Sequence, residues 1–332
     1  MLQFCPVKLE SGCEINPGAT IMPLTTYGQQ CRLRPFAVTV KGQHCKENVE
    51  YIGNPCKAIK SSSQRVAILF GGQGSQYPGM LDNYHDCAQA VEVLEKAESI
   101  LGIDIRALCS ITSDAKKIES TDIAQPIVTV ANLMAAEVMR QKFAVDLSKC
   151  TCCAGFSLGE LSALCFAGAI SFEDTLRLVK IRANAMASCR GGSMCNVKGF
   201  PRKEVEEISQ RFSCSIANII CDHDETENDI EIPNNVYVCA GPSQNINKLV
   251  EFINTSKIDE EKTGMGAKKL RVSAAFHTPH MMDARNKLEA ALKGIEIKLP
   301  ENYLVYSNVT GLPYASTNEI RKLLPVQMIS SV

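Results

Sequence analysis

Apolar residues beyond position 65 follow two alternating patterns. Short continuous apolar runs at Val66–Phe70 and Cys150–Gly155 predict buried strands. Elsewhere, apolar residues recur at the three-to-four-residue spacing of helices, over about 85–101, 123–143, 158–167 and 172–189. Strands that alternate with helices are typical of βαβ units. This part of the chain therefore predicts an α/β fold with a parallel sheet that helices cover on both faces.

Residues 193–272 show a different pattern. Their elements follow the order β-α-β-β-α-β, which is typical of a ferredoxin-like fold. The predicted strands are 193–198, 214–219, 236–240 and 268–273, and the predicted helices are 202–212 and 244–256. The long acidic connection 220–235 is interpreted as a solvated loop. The sequence thus predicts a large α/β domain over 65–192 and 273–332, with 193–272 inserted as an α+β subdomain.

The C-terminal part of the large domain ends in a short helical pattern. Residues 317–324 predict a helix that Pro325 ends or kinks. The first 64 residues differ from the rest, since they mix Pro, Gly, Ser and Thr without a clear helical or strand period. Neither they nor the rest of the sequence show an internal repeat. They contain seven basic residues, four Glu and no Asp, a net charge of +3. We therefore expect residues 1–64 to be a targeting presequence or a disordered leader.

The composition excludes several classes of protein. With 35 Lys and Arg against 36 Asp and Glu, the net charge of −1 argues against charge-driven nucleic-acid binding. No apolar run reaches the roughly 18 residues that a membrane-spanning helix needs. The 16 cysteines are scattered and no secretory signal precedes them, which indicates free thiols in a reducing compartment. Cys150 and Cys153 form a CxxC, but without a second pair a buried strand is favoured over a zinc site.

The strongest chemical signal is the segment 155–159, Gly-Phe-Ser-Leu-Gly. This G-x-S-x-G pattern lies between a predicted strand and a predicted helix, which is the context of a nucleophile elbow. The glycines allow the tight turn that presents Ser157. At the start of a helix, the N–H of Leu158 can face a developing oxyanion. Ser157 is therefore the candidate nucleophile, and a purely structural serine is the alternative.

A glycine-rich loop, 71–74, follows the first predicted strand and allows two interpretations. Tyr77 stands where a dinucleotide-binding loop has its third glycine, and the G-K-[ST] ending of a phosphate loop is missing. A backbone that closely approaches a ligand fits better, with the N–H of Gln73 as a second oxyanion donor. The alternative is a simple turn from strand to helix.

A serine nucleophile needs a base, and His277 directly follows a predicted strand. His280 is nearby, but the pair lacks a third ligand, so we expect no metal site. Arg182 lies on the helix predicted over 172–189. In a pocket it would bind a carboxylate through two parallel hydrogen bonds and select a dicarboxylic acyl group. On the outer face it would be solvated, and both positions stay open.

Together these segments resemble the malonyl-CoA:acyl carrier protein transacylase family, in particular its mitochondrial and plastid form. The resemblance covers residues 66–332, and several independent motifs in the family's order make it specific. The matching motifs are Phe70-Gly71-Gly72-Gln73-Gly74-Ser75-Gln76, Gly155-Phe156-Ser157-Leu158-Gly159-Glu160, Val179-Lys180-Ile181-Arg182 with Met186, Gly192-Ser193-Met194, Ala275-Phe276-His277, Ser307-Asn308-Val309-Thr310-Gly311 and Gln327.

The resemblance implies a fold and a set of roles. The fold would be a hydrolase-like α/β large domain with an inserted ferredoxin-like subdomain, in agreement with the patterns above. Ser157 would be the nucleophile and His277 the base. Backbone N–H groups of Gln73 and Leu158 would form the oxyanion hole, and Arg182 would bind the malonyl carboxylate. The backbone carbonyl of Gln327 would orient the histidine in place of a triad Asp.

The implied activity is transfer of a malonyl group from malonyl-CoA to the pantetheine thiol of acyl carrier protein, for fatty acid synthesis. It needs no cofactor or metal, because the carrier protein brings its own phosphopantetheine. We expect a monomer without nucleic-acid or membrane partners, located in the mitochondrion, with plastid or cytoplasm as alternatives. Family members continue past the equivalent of Gln327 with a tryptophan-containing segment, whereas this chain ends at Val332 and has no Trp. We therefore expect a chain shortened at its C-terminus.

Alternatives to this function remain. A serine hydrolase or thioesterase would use the same elbow, but it needs an acid between Ser157 and His277, where no Asp lies in a recognisable motif. A shortened chain could instead bind carrier protein without activity. A methylmalonyl-selecting transferase is disfavoured, because the bulk of Phe276 resembles malonyl-selecting members and would crowd an α-methyl group. Gly71 stands where the family usually has proline, and we expect it to loosen the loop before Gln73.

Overall fold

The computed structural model describes residues 66–141, 150–222, 235–256, 265–272 and 274–332, together with short strand segments within the first 65 residues. The chain divides into two compact units, Met1–Arg65 and Val66–Val332. The division lies next to the boundary that the sequence predicts between residues 64 and 65. The predicted strand 268–273 includes Ser273, and the acidic connection includes 223–234, which lie outside the described residues.

The described residues of the first unit form short strands arranged in two sheets. In one sheet Lys8 is paired with Thr26, and Thr26 is paired with His44, so that successive partners lie 18 residues apart. Glu14, Arg32 and Glu50 are paired at the same spacing in the other sheet. The strands are β1 (Lys8–Leu9), β2 (Glu14–Ile15), β3 (Thr26–Tyr27), β4 (Arg32–Leu33), β5 (His44–Cys45), β6 (Glu50–Ile52) and β7 (Lys57–Ile59).

This regular spacing corrects the expectation that residues 1–64 contain no repeat. Parallel strands stacked at a fixed sequence interval are typical of a solenoid. The repeat is hard to see in the sequence because equivalent positions carry unrelated side chains, such as Lys8, Thr26 and His44. The interpretation of residues 1–64 as a targeting presequence or a disordered leader stays a prediction.

The second unit contains the predicted parallel sheet, which confirms the α/β fold. Strand β8 (Val66–Phe70) pairs with β9 (Cys150–Gly155), and β9 pairs with β14 (Leu304–Val305), both in parallel. The four helices predicted between residues 85 and 189 are present, whereas α2, α8 and β14 were not predicted. The helices are α1 (Ala88–Leu101), α2 (Ile105–Leu108), α3 (Thr121–Gln141), α4 (Gly159–Phe166), α5 (Phe172–Ser188), α8 (Met282–Leu292) and α9 (Thr317–Val326).

Helices cover only one face of this sheet among the described residues, so the prediction that they cover both faces is wrong there. Phe70, Cys153 and Val305 are buried, whereas Leu69 is 79% exposed and Leu304 is 52% exposed. Successive side chains of a strand point to opposite faces, so the exposed residues mark the open one. A short apolar run gives no information on which of its faces is covered, and this explains the error.

The longest described helix, α3, passes through the core of the second unit. It has 21 residues and buries two polar side chains, Gln125 and Thr129, together with many apolar ones. None of the described helices is long and apolar enough to cross a membrane. Helix α9 differs slightly from its prediction, because Pro325 lies within its last turn and the helix ends one residue later, at Val326. The chain then continues as a 3-10 turn, Gln327–Ile329.

The predicted β-α-β-β-α-β order is present between residues 192 and 269. The four strands form an antiparallel sheet in the order β11-β12-β10-β13, with each βαβ pair separated by one strand, as in ferredoxin-like folds. The exact limits 193–272 stay a prediction. The elements are β10 (Gly192–Lys198), α6 (Arg202–Arg211), β11 (Ser215–Cys221), β12 (Val236–Pro242), α7 (Ser243–Ser256) and β13 (Gly266–Lys269).

The two faces of this antiparallel sheet contact different cores. Cys195 and Tyr237 belong to the small core beneath α6 and α7. Their strand neighbours Met194 and Val238 belong to the large core of the unit. Alternate side chains thus join the ferredoxin-like part to the α/β part. The segment that carries His277 follows β13 directly in the chain.

Candidate active site

Ser157 occupies a strained turn between β9 and α4. Its φ is +51°, a left-handed conformation that a residue with a side chain rarely adopts. The two flanking glycines permit this turn through close backbone contacts. A Cβ at Gly155 would lie 1.9 Å from the carbonyl carbon of Gly159, and a Cβ at Gly159 would lie 2.3 Å from the carbonyl oxygen of Phe70. The G-x-S-x-G pattern therefore brings the ends of β8 and β9 together beneath the serine.

Asn308 holds the elbow from the far side. Its Oδ1 accepts a hydrogen bond from the backbone N–H of Ser157 at 2.7 Å. Its Nδ2 donates to the backbone carbonyl of Gly155 at 2.8 Å. One side chain thus satisfies backbone groups on both sides of the turn and offsets part of the cost of its conformation. The sequence motif contains Asn308 but gives no indication of this contact.

Ser157 and His277 form a hydrogen-bonded pair. The Oγ of Ser157 is 2.8 Å from Nε2 of His277, and Nδ1 of His277 is 2.8 Å from the backbone oxygen of Gln327. Because a carbonyl oxygen only accepts, the hydrogen of the neutral imidazole lies on Nδ1, and Nε2 can accept the serine proton. Burial, assisted by the charge of Arg182, lowers the pKa of His277 to about 4. The imidazole is therefore neutral at pH 7, as a base must be.

Arg182 is buried and points into the site rather than into solvent. Its Nη2 donates to Oγ of Ser157 at 2.9 Å and to Oε1 of Gln327 at 3.1 Å, and its Nη1 donates to Oε1 of Gln125 at 2.8 Å. Within the described residues no carboxylate lies at ion-pair distance from it. Burial lowers its pKa to about 10, so it remains cationic at neutral pH. A buried cation with neutral partners can bind a carboxylate through two hydrogen bonds.

Of the two predicted oxyanion donors, Leu158 directly follows Ser157 in sequence, and Gln73 lines the same cavity as Ser157. In the part of the chain that the structure describes, the backbone N–H groups of Gln73 and Leu158 have no hydrogen-bond partner. Leu158 immediately precedes helix α4, where the helix dipole favours negative charge. The side chain of Gln73 donates to Oγ1 of Thr121 at 3.1 Å and accepts from Nε2 of Gln125 at 3.2 Å. These bonds anchor Gln73 despite the glycines around it.

These residues line one cavity of about 500 Å³ between the α/β part and the ferredoxin-like part. The predicted site residues that line it from the α/β part are Gln73, Ser157, Arg182, Phe276 and His277. Gln327 contributes through its hydrogen bond to His277, and Leu158 through its backbone N–H group. Lining side chains from the ferredoxin-like part include Met194 and Asn218. His280 lines a separate depression.

Three further polar residues belong to the site, although the sequence assigns them no role. They are Gln125, Glu160 and Asn308. Glu160 is the one most visible in the sequence, because it is the charged residue that opens the otherwise apolar helix 158–167. Its full burial in the structure makes it the least expected carboxylate of the described chain.

The arrangement is that of enzymes that form an acyl ester on a serine. The chain belongs to the acyl transferase family, since the acyl transferase domain matches residues 68–318. It is 34% identical over 301 residues to a probable mitochondrial malonyl-CoA-acyl carrier protein transacylase of Drosophila melanogaster, covering 86% of this chain and 73% of the relative. It is 35% identical over 275 residues to the mitochondrial malonyl-CoA-acyl carrier protein transacylase of Homo sapiens, covering 81% and 68%.

Solved structures of malonyl transacylases have the same fold. The malonyl CoA-acyl carrier protein transacylase of Coxiella burnetii has a TM-score of 0.68 at 28% identity, covering 81% of this chain and 80% of that one. A malonyl-transacylase solved in complex with its type II polyketide acyl carrier protein has a TM-score of 0.69 at 27% identity, covering 81% and 82%. The likeness in fold and sequence identifies the second unit as the acyltransferase.

Proposed function

We propose that this chain transfers a malonyl group from malonyl-CoA to the pantetheine thiol of an acyl carrier protein, the activity named for its relatives. The observation that carries the proposal is the position of Arg182, 2.9 Å from Oγ of Ser157 in the same cavity. A buried cation this close to the nucleophile favours an acyl group that ends in a carboxylate. Malonyl is such a group, because a single methylene carbon separates its carboxylate from the thioester carbonyl.

The first half-reaction loads the serine. Oγ of Ser157 attacks the thioester carbon while Nε2 of His277 takes the hydroxyl proton. The oxyanion of the tetrahedral intermediate accepts hydrogen bonds from the N–H groups of Gln73 and Leu158. The carbon–sulfur bond then breaks, the coenzyme A thiolate takes the proton from His277, and a malonyl ester remains on Ser157. The carbonyl of Gln327 holds the imidazolium through Nδ1 during this step.

The second half-reaction reverses these events with a different thiol. His277 takes the proton of the pantetheine thiol of the carrier protein, and the sulfur attacks the malonyl ester. Collapse of the intermediate returns the proton to Oγ of Ser157 and releases malonyl-carrier protein. The kinetics would be ping-pong. No cofactor takes part, since the phosphopantetheine arrives on the carrier protein.

The same contacts weigh against a serine hydrolase with an acid-containing triad. Nδ1 of His277 contacts the backbone of Gln327 and no carboxylate among the described residues. The carboxylate of Asp174, one of the acids between the serine and the histidine, instead accepts a hydrogen bond from Ser171, the N-cap residue of helix α5. Transfer to a thiol is therefore the better-supported reaction.

We also propose a mitochondrial location and a monomeric state. The location is supported by the mitochondrial names of relatives from Drosophila melanogaster, Homo sapiens and Mus musculus. A cell-fractionation experiment with the tagged full chain tests the location, and light scattering of the purified chain tests the monomer. Recovery in the cytosol, or a dimeric mass, would replace these two assignments without affecting the reaction.

The reaction is tested by mixing the purified chain with malonyl-CoA, without carrier protein, and recording its intact mass. We expect the mass of one malonyl group to be added to the wild-type chain and none to Ser157→Ala. Arg182→Ala should take up far less, because the carboxylate loses its charged partner. Acetyl-CoA serves as the comparison substrate. Full loading of Ser157→Ala would overturn the assignment of the nucleophile, and absence of any wild-type adduct would overturn the proposed reaction.

A further inference from the structure

Glu160 is a buried carboxylate that the reaction described above does not use. It lies in the first turn of α4, is 0% exposed, and accepts hydrogen bonds from three separate segments. Oε2 accepts from Nε2 of Gln327 at 2.6 Å, and Oε1 accepts from the backbone N–H of Asn308 at 3.2 Å and from the hydroxyl of Tyr314. Burying a carboxylate is costly unless such partners compensate for lost water.

Two of these three partners contact the reacting residues directly. The backbone carbonyl of Gln327 accepts from Nδ1 of His277, and the Nε2 of Gln327 also donates to the backbone oxygen of Ser157 at 2.8 Å. The side chain of Asn308 accepts from the N–H of Ser157. A single carboxylate therefore holds both the residue behind the base and the residue behind the nucleophile.

The Gln327 amide also links Glu160 to the buried cation. Its Oε1 accepts from Nη2 of Arg182 at 3.1 Å, while its Nε2 donates to Glu160. The amide is thus oriented by a cation at one end and an anion at the other. In a flipped amide, the N–H would face the cation and the oxygen would face the anion. Because Glu160 balances the charge of Arg182 across this amide and not by direct contact, the guanidinium stays available to a substrate carboxylate.

We infer that Glu160 is a positioning residue for acyl transfer, which acts through Gln327 on His277 and through Asn308 on Ser157. The inference rests on the proposed Ser157–His277 chemistry and adds a residue to it. The hydroxyl of Tyr314 contacts Glu160 and the side chain of Ser307, and among the described residues it has no hydrogen bond to either reacting side chain. Removing the acceptor at position 160 should therefore affect the reaction far more than removing the donor at position 314.

The hydrogen-bonding pattern favours the ionised form of Glu160. All three neighbours donate, and a proton on the carboxyl group would make it a weaker acceptor for them. Burial raises the pKa of Glu160 to about 7, although the bonds from Tyr314, Gln327 and Asn308 and the charge of Arg182 act in the opposite direction. The charged or titratable side chains that face it are Arg182, Tyr314 and, through Gln327, His277. Burial raises the pKa of Tyr314, which keeps it a donor.

A pH dependence follows from these directions. As the pH falls through about 7, Glu160 gains a proton and its hold on Gln327 weakens. His277 stays neutral until the pH approaches 4. The acylation rate should therefore fall near the higher of these two values. If Glu160 had no part in positioning, the rate would persist until His277 is protonated.

The test compares Glu160→Gln with Tyr314→Phe in single-turnover malonylation, followed by intact mass over a range of pH and malonyl-CoA concentration. In Glu160→Gln the amide has a single acceptor oxygen, so it cannot accept from both Nε2 of Gln327 and the N–H of Asn308, and one of these two residues must move. We expect the maximal rate to fall about 100-fold, the size of effect that a small misplacement of reacting groups produces. The half-saturating malonyl-CoA concentration should change much less, because Arg182 remains. The fall near pH 7 should disappear.

Tyr314→Phe is the matched variant, since it removes one donor and leaves the Gln327 contact in place. Its maximal rate should stay within about tenfold of wild type, as expected for one hydrogen bond. Its loss of activity on acidification should begin at higher pH, because a carboxylate with fewer donors has a higher pKa. This shift is not expected from a merely structural effect.

Each outcome decides the inference. A Glu160→Gln chain with the wild-type rate and pH profile would overturn it, and so would a Tyr314→Phe profile that does not move. If Glu160→Gln fails to fold, as judged by circular dichroism, the Tyr314→Phe profile alone decides. A wild-type chain that takes up malonyl while both variants match it contradicts only the role of Glu160. A wild-type chain that takes up none overturns the proposed function and this inference with it.

Discussion

The cavity has a polar floor and an apolar wall, and the two are held in different ways. The polar floor, Ser157, Arg182 and His277, is buried, and each member makes at least two hydrogen bonds that fix it. The apolar wall, Met194 and Phe276, is fixed by packing in the large core. Both sets face the same space of about 500 Å³.

This difference separates rate from selectivity. A hydrogen-bonded residue of the polar floor also holds its partners in one orientation. Its substitution therefore changes the positions of the reacting atoms. An apolar lining residue instead determines which shapes fit, and one methylene is worth only about 1–3 kcal/mol there. Substitutions in the polar floor should therefore alter the rate by orders of magnitude. Substitutions in the apolar wall should alter the choice of acyl group by much smaller factors.

The largest effect is expected for His277→Ala. Loss of the base should lower the rate of malonylation by about 10²–10⁴-fold, the range that a positioned general base contributes. Rapid-quench intact mass measures this rate. His280→Ala is the matched control, because this exposed histidine is close in sequence but lines a separate depression. Equal losses in the two variants would mean that the effect comes from the local fold and not from the base.

A smaller effect is expected for Arg182→Lys, which keeps the charge and removes the planar fork. One lost charge-assisted hydrogen bond should lower the efficiency of malonylation by about 10- to 100-fold. Loading from acetyl-CoA, which lacks the carboxylate, should change far less. The control is Arg177→Lys on the same helix, where the side chain is exposed and paired with Asp174. A similar loss for malonyl and acetyl groups would argue against carboxylate binding by Arg182.

The parts of the site that the sequence predicts are those encoded locally. The elbow needs a strand, two glycines, a serine and a helix in succession, so segment 155–159 contains its own signal. Arg182 could also have been placed in the core, because it falls on the helical stripe formed by Val179 and Met186, which are buried with it in α5. Without the stripe, both a buried and a solvated position for Arg182 are open. Its place on the same stripe as two apolar residues favours the buried position.

The network around Glu160 could not be predicted in this way. Its contacts join α4 to residues 148 to 167 positions away in sequence, and no periodicity reports such distances. The placement of Gln327 behind His277 came only from the family resemblance, because a backbone carbonyl leaves no side-chain signal. The open face of the parallel sheet and the 18-residue spacing in the first unit were missed for the related reason that short strands carry little pattern.

In the apolar wall, Phe276→Ala should relax selectivity. The phenyl ring lines the cavity next to the base and is 7% exposed, so its removal creates space beside the thioester. We expect the preference for malonyl over methylmalonyl to fall about tenfold, the value of one methyl group in a pocket. Competition between the two thioesters, read by intact mass, measures the ratio. Malonyl loading alone is the internal control. An unchanged ratio would show that Phe276 does not limit the space for an α-methyl group.

The smallest effect is expected for Asn218, a polar residue on the ferredoxin-like side of the cavity. Its side chain lines the cavity, and its buried Nδ2 has no hydrogen-bond partner among the described residues. A buried donor without a partner costs about 1–3 kcal/mol, so Asn218→Ala should leave the melting temperature unchanged or raise it. If Nδ2 donates to bound substrate, the same variant should raise the half-saturating malonyl-CoA concentration a few-fold with little change in maximal rate. A lower melting temperature with unchanged saturation would instead assign Asn218 to packing.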